Sequence, residues 1–200
     1  HGLEDSITFN INNNYFNKSE EWQVEAMQKA ADFARSLGIE VNDFEGDVQG
    51  TLDKYSDILN SGKKIMVFEG GPVTATYDAL KNVDPENHPL ITLMSHSVWN
   101  EGDKYPGTSV HTWSEIKEKF DGVKTEKVPD QNGFADSPNK GFKSDRWDKW
   151  FENLDLDDPN YEILKEVDAI MDLANGPTSN PKLDVSIDAS DAGMLLYYLT

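Results

Sequence analysis

Hydrophobic positions along the chain switch repeatedly between the spacing of a strand and the spacing of a helix. Apolar and polar residues alternate over Ser6–Asn12, which predicts a strand. The next segment has small apolar residues at i, i+3, i+4 and i+7 and stops at Gly38, which predicts a helix of about five turns. A second short strand is predicted over Ile39–Phe44, and a second helix over Thr51–Asn60.

A strand-helix-strand unit follows in the middle of the chain. The apolar run Ile65–Phe68 predicts a strand, and Gly70-Gly71-Pro72 predicts a corner whose proline takes the first position of a helix. A second apolar strand, Leu90–Met94, ends in the polar cluster Ser95–Glu101. Strands separated by such a helix pair in parallel, and open parallel sheets bind ligands beyond the carboxyl ends of their strands. The chemistry is therefore expected where these two strands end.

Helix and strand signals continue through the second half of the chain. The capping box Thr112-Trp113-Ser114-Glu115 starts a helix that ends near Gly122. Val123–Val128 then predicts a strand. Two further helices are predicted, one from Asp158-Pro159 through Leu173 and one over Ala192–Leu199.

These elements predict an α/β fold with a mostly parallel open sheet and helices on both faces. Two hundred residues suffice for one domain with its own core, so residues 1–200 are expected to form a single domain. The first strand signal begins at Ser6 with no turn or linker before it. This abrupt start indicates a fold that is incomplete at its N-terminus.

The chain is strongly acidic. It has 37 acidic and 18 basic residues and a formal net charge of −19, which argues against nucleic acid as a partner because its phosphates would be repelled. The charge leaves open a cation, a neutral sugar or simply a solvated acidic surface. No run approaches the roughly 18 apolar residues of a membrane helix, so no membrane partner is expected. The oligomeric state stays open.

Missing residue types and motifs exclude several kinds of site. Without cysteine, the chain has no thiolate zinc site, cysteine nucleophile or disulfide. Its four histidines form no H-x-x-x-H or H-x-H pair, which argues against zinc or copper, whereas calcium bound by oxygen atoms stays open. The sequence has no G-x-S-x-G elbow, Walker loop or G-x-G-x-x-G, so serine hydrolase, kinase-type and dinucleotide-binding functions have no support.

Polar residues follow three of the predicted strands. Glu101 and Asp130 are the candidate acid/base pair, because two carboxyls in different environments can divide the proton-donating and proton-accepting roles. His96 is a candidate proton donor near neutral pH. The candidate contacts to a sugar are Asn12, Asn13, Asn100, Asn132 and Trp99. Each candidate also has a structural interpretation, such as an exposed glutamate, an aspartate in a turn or a histidine bonded to a backbone carbonyl.

Several short motifs resemble those of nucleoside hydrolases, the inosine-uridine nucleoside N-ribohydrolases. Gly70-Gly71-Pro72-Val73-Thr74 resembles their G-P-L-T segment, and Ser190-Asp191-Ala192 resembles their H-D-P-L-A segment with serine in place of histidine. Asn10-Ile11-Asn12-Asn13 is similar to the end of their second strand. Other motifs resemble a divergent branch of this superfamily from secreted proteins of polysaccharide-degrading bacteria, namely His96, Trp99-Asn100-Glu101, His111-Thr112-Trp113 and Asp130-Gln131-Asn132-Gly133.

The resemblance implies a calcium ion at the active site. Its ligands would include the backbone carbonyl of Gly70 and the carboxylate of Asp191. The family also has an aspartate cluster, D-x-D-x-x-x-D-D, after its first strand, and the present sequence lacks this cluster. Because the match begins at the family's second strand, the chain is expected to lack the first strand and helix. Either it belongs to a longer protein or its branch has lost the metal.

The leading hypothesis is a glycoside hydrolase that cleaves an N- or O-glycosidic bond of a nucleoside or an oligosaccharide. The resemblance also implies a secreted or periplasmic location. The alternative is a non-catalytic carbohydrate-binding or scaffold module on the same fold, which the missing aspartate cluster and Ser190 favour. A third hypothesis is that the motif matches are coincidental and the chain is another flavodoxin-like domain.

Overall fold

The protein has an α/β fold, as its hydrophobic pattern predicts. A computed structural model describes residues 6–11, 21–44, 47–102, 110–129, 153, 155–174 and 194. Within these residues, strands and helices alternate along the chain, and every strand pairing is parallel. The predictions that lie outside the described residues concern Asn12, Asn13, Asp130, Asn132, Asp191 and the last helix apart from Met194.

The described strands form two parallel sheets. They are β1 (Thr8–Ile11), β2 (Glu40–Asp43), β3 (Ile65–Phe68), β4 (Ile91–Ser95) and β5 (Lys124–Lys127). In one sheet β1 pairs with β2, and in the other β4 lies between β3 and β5. At the end of the second sheet, Met94 of β4 lies opposite Phe68 of β3, and Ser95 lies opposite Lys127 of β5. The carboxyl ends of β3, β4 and β5 therefore meet at one edge.

Helices connect these strands. They are α1 (Glu21–Ser36), α2 (Val48–Leu59), α3 (Thr74–Leu80), α4 (Val98–Glu101), α5 (Trp113–Lys119) and α6 (Tyr161–Ala174), and a short 3-10 helix spans His88–Leu90. α1 packs against α6, and α2 packs against α3. In the described part of the chain, no helix combines the length and the apolar character needed to cross a membrane.

Side-chain caps fix the starts of two helices. α2 begins at Val48, earlier than predicted, because the Asp47 carboxylate accepts a 2.9 Å hydrogen bond from the Gly50 N–H. The predicted capping box of α5 is confirmed. The Thr112 hydroxyl accepts from the Glu115 N–H at 3.2 Å, and the Glu115 carboxylate accepts from the Thr112 N–H at 2.6 Å.

The start of α3 differs from the prediction. Pro72 does not open the helix, because α3 begins at Thr74 and Val73 is its N-cap residue. The Val73 N–H donates to the backbone carbonyl of Asn100 at 3.3 Å, so this residue belongs to the corner between β3 and α3 rather than to the helix. α6 likewise begins at Tyr161, shortly after the proline that was predicted to start it.

A hydrophobic cluster packs on each face of the three-stranded sheet. The cluster on one face draws on α2, α3, β4 and α5, and its fully buried members include Leu59, Ala79, Leu93, Trp113 and Ile116. The cluster on the other face consists of Met94, Val128 and Met194, with Met66 and Phe68 packed against it. Adjacent strand residues point to opposite faces, which is why Leu93 and Met94 enter different clusters. On α2, the hydrophobic residues Leu52, Tyr55 and Leu59 are buried.

Candidate functional site at the carboxyl edge of the parallel sheet

A short helix, α4, occupies the polar cluster that follows β4. The sequence pattern did not predict this helix, which includes Trp99, Asn100 and Glu101. The Asn100 side-chain amide donates a 2.7 Å hydrogen bond to the backbone carbonyl of Glu69, the residue after β3. Together with the bond from Val73 to the Asn100 carbonyl, this contact brings α4 against the corner that contains Gly70.

Glu101 lies where the ends of the parallel strands meet. The residue is only 3% exposed, although it is charged. Its carboxylate forms an ion pair with the ammonium group of Lys127 at the end of β5. The Val128 N–H donates to the Ser95 carbonyl at 3.0 Å, which joins the ends of β5 and β4 beside this pair. A buried carboxylate needs such a partner, because desolvating an unpaired charge is costly.

His96 is also buried at this edge. It lies between β4 and α4 and is 7% exposed. The neighbouring turn is stabilised by Ser95, whose hydroxyl accepts from the Ser97 N–H and donates to the Ser97 carbonyl, both at 3.2 Å. The structure thus brings His96, Asn100 and Glu101 to the same edge as Gly70. Asp130 lies outside the described residues, one position after Pro129.

Sequence reasoning missed one acidic residue of this edge, Glu69. It is 7% exposed, and burial raises the pKa of its carboxyl to about 7 from an ordinary value of 4.5. A hydrogen bond with the Thr76 hydroxyl lowers the pKa, but by less than burial raises it. The only feature of the sequence that could have pointed to Glu69 is its position between the end of an apolar strand and Gly70-Gly71.

The Glu69 carboxyl lies in a buried polar cluster with residues of α2 and α3. The Tyr55 hydroxyl is 3.0 Å from the Thr76 hydroxyl, and both residues are buried. Burial raises the pKa of Tyr55, and the nearby negative charge of Glu69 raises it further. One oxygen of Glu69, Oε1, is buried and has no hydrogen-bond partner among the described residues.

The motif His111-Thr112-Trp113 connects α3 to α5. The Thr74 hydroxyl accepts hydrogen bonds from the N–H groups of Val110 and His111 at 3.1 and 3.3 Å. The His111 ring stacks on Tyr77 with 3.6 Å between ring centroids. Trp113 is completely buried in the core. These contacts attach the segment before α5 to the start of α3, next to the candidate site.

Among the described side chains, no three His, Asp or Glu residues form a group that could hold a metal ion. Gly70 lies in the described corner at the site edge, whereas Asp191 lies outside the described residues. The calcium ion that the resemblance implies therefore stays a prediction.

Comparisons with known proteins found no relative. No protein-family model matches the chain, and neither a curated protein sequence nor a solved structure matches it.

Proposed function

We propose that this protein is a glycoside hydrolase that cleaves the N- or O-glycosidic bond of a nucleoside or an oligosaccharide. The observation that supports this proposal is the buried, ion-paired Glu101 at the edge where three neighbouring parallel strands end. Ligands of open parallel sheets bind at such edges, and a desolvated carboxylate is the group that glycoside hydrolysis requires.

Hydrolysis of a glycosidic bond divides the chemistry between a carboxylate and a proton donor. Glu101 is our candidate for the carboxylate that activates water, because it is buried and paired with Lys127 at the edge where the parallel strands end. His96 or Asp130 would protonate the leaving group, as the bond to the anomeric carbon breaks through an oxocarbenium-like transition state.

Sugar binding and calcium binding complete the proposal. We assign sugar contacts to Asn12, Asn13, Asn100, Asn132 and Trp99. Asn100 additionally supports Glu101, because its amide is bonded to the Glu69 carbonyl. Gly70 and Asp191 are the proposed calcium ligands, and the ion would supply Lewis acidity at the same edge. The proton transfers themselves need only the side chains of the chain.

A product assay tests this function. Wild-type protein, Glu101→Gln and the control Glu126→Gln, which changes an exposed residue of β5, are incubated with nucleosides and with algal and plant oligosaccharides, and released sugar is measured. We expect turnover by the wild type and the control, and a loss of about 10²- to 10⁴-fold in kcat for Glu101→Gln. Absence of turnover by folded wild-type protein across the panel, or full activity of Glu101→Gln, would contradict the proposal.

The second candidate function is a carbohydrate-binding or scaffold module without catalysis. The Glu101–Lys127 ion pair favours this module, because such a pair can hold the fold together without taking part in a reaction. Calorimetric titration with the same sugars separates the two functions. Binding without any product would support the module, whereas binding accompanied by released sugar supports the hydrolase.

A further inference from the structure

The backbone of Glu69 connects β3 to two other elements of the site. Its N–H donates to the Met94 carbonyl of β4 at 2.9 Å, and its carbonyl accepts from the Asn100 amide of α4 at 2.7 Å. The first bond continues the pairing of β3 with β4 beyond the end of β3. The second bond determines where Asn100 lies, and Glu101 is the next residue along α4. The position of the Glu69 peptide therefore affects the position of Glu101.

The side chain of Glu69 connects the same peptide to two helices. Its carboxyl bonds to the Thr76 hydroxyl of α3, which in turn lies 3.0 Å from the Tyr55 hydroxyl of α2. Its other oxygen is buried without a partner among the described residues, and such an atom lowers the stability of a fold. An apolar side chain of similar length would fill this space at a lower cost in stability. Stability alone thus gives no reason for a carboxyl here, and residues of this kind occur at functional sites.

We infer that Glu69 is a positioning residue of the proposed glycosidase site, whose bond to Thr76 fixes the peptide that holds Asn100 and thereby orients Glu101. The inference rests on the proposed function, because the orientation of Glu101 affects a rate only if Glu101 takes part in a reaction. Glu69 acts through Asn100 and not on the substrate, since its unpartnered oxygen has no contact with solvent.

Substitutions on both sides of the Glu69–Thr76 bond test this role. Glu69→Met keeps the length of the side chain and removes both oxygens, and Thr76→Val removes the hydroxyl from the other side. We expect each to lower kcat on the sugar panel by about tenfold or more while KM changes by less than about threefold, because a misplaced catalytic group slows the chemical step and Asn100 is only one of the five assigned sugar contacts. Glu69→Gln keeps an oxygen that accepts from Thr76 and should restore most of kcat. Glu118→Met, on the exposed side of α5, is the matched control.

A second measurement does not depend on activity. Hydrogen exchange of the Asn100 side-chain amide, followed by NMR, should be slow in the wild type and faster in Glu69→Met and Thr76→Val. If the wild type acts on none of the sugars, the proposed hydrolase function fails, and amide exchange still decides the structural part of the inference. Wild-type kcat in the folded variants, or Asn100 exchange that is unchanged in both, would overturn the positioning role.

Discussion

The Asn100 side-chain amide and the Glu69 carbonyl form a buried 2.7 Å hydrogen bond between α4 and the end of β3. The two residues are separated by 31 positions in the sequence. The bond determines how the helix after β4 sits against the neighbouring strand end. Both polar groups are buried away from water, so removing either one leaves the other without a hydrogen-bond partner.

Asn100→Ala should destabilise the fold by about 1–3 kcal/mol, because the Glu69 carbonyl would stay buried without its donor. Urea unfolding followed by circular dichroism measures the change. Asn82→Ala is the matched control, since Asn82 is exposed at the end of α3 and should change the free energy of unfolding by less than about 0.5 kcal/mol. Equal stability of Asn100→Ala and the wild type would show that the bond contributes nothing.

Glu69 should make the fold less stable as pH rises. Its carboxyl has a pKa of about 7 in the folded protein, against an ordinary value of 4.5, so between these two pH values the folded state keeps a proton that the unfolded state releases. The free energy of unfolding therefore falls through this window, by about 3 kcal/mol in total. Glutamine does not titrate, so Glu69→Gln should lack this component.

The measurement compares unfolding of the wild type and Glu69→Gln by urea at several pH values from 4 to about 8.5. Other carboxylates contribute equally to both proteins, so the difference between the two curves isolates Glu69. Relative to the wild type, Glu69→Gln should gain stability steadily as pH increases and level off above pH 7. A difference that does not vary with pH would mean that the carboxyl has an ordinary pKa in the folded state.

Lys127→Met removes the ion-pair partner of the buried Glu101 carboxylate and should destabilise the fold. Without the ammonium group, the carboxylate is buried unpaired, and we expect a loss of about 1–3 kcal/mol, below the range for fully buried pairs because the Lys127 side chain is 52% exposed. The double variant Glu101→Gln with Lys127→Met should recover part of this loss. Lys124→Met, on an exposed position of β5, is the control. Thermal unfolding of the wild type, Glu101→Gln, Lys127→Met and the double variant gives the coupling energy, and a value near zero would contradict the pairing.

Local patterns were sufficient to predict most of the fold. The apolar runs located β3 and β4 to within a residue, and the capping box located α5, because strands and caps depend on neighbours in the sequence. The start of α3 was misplaced, since Val73 is its N-cap residue, and the Val73 N–H is bonded to Asn100, a residue that only the tertiary fold brings close. The preference of proline for the first position of a helix, which placed the predicted start at Pro72, could not reveal that contact.

The candidate site was predictable in outline and not in detail. Polar residues after parallel strands indicated the edge at which His96, Asn100 and Glu101 lie, because strand direction alone sets which ends meet. Glu69 was missed because a single glutamate beside two glycines has no distinctive pattern. The pKa of its carboxyl is raised by burial, which is a property of packing and not of sequence spacing.

Replacing Gly122 by a residue with a side chain tests the connection between α5 and β5. Gly122 adopts a left-handed conformation with φ of +90°, and a Cβ placed there would lie 3.1 Å from Cγ of Pro89. We expect Gly122→Ala to destabilise the fold by about 1–2 kcal/mol, because non-glycine residues are strained in this conformation. Gly71→Ala is the matched control, since φ there is not positive and a Cβ would have no atom within 4 Å. If thermal unfolding shows the two variants equally stable, the turn before β5 must adopt another backbone conformation.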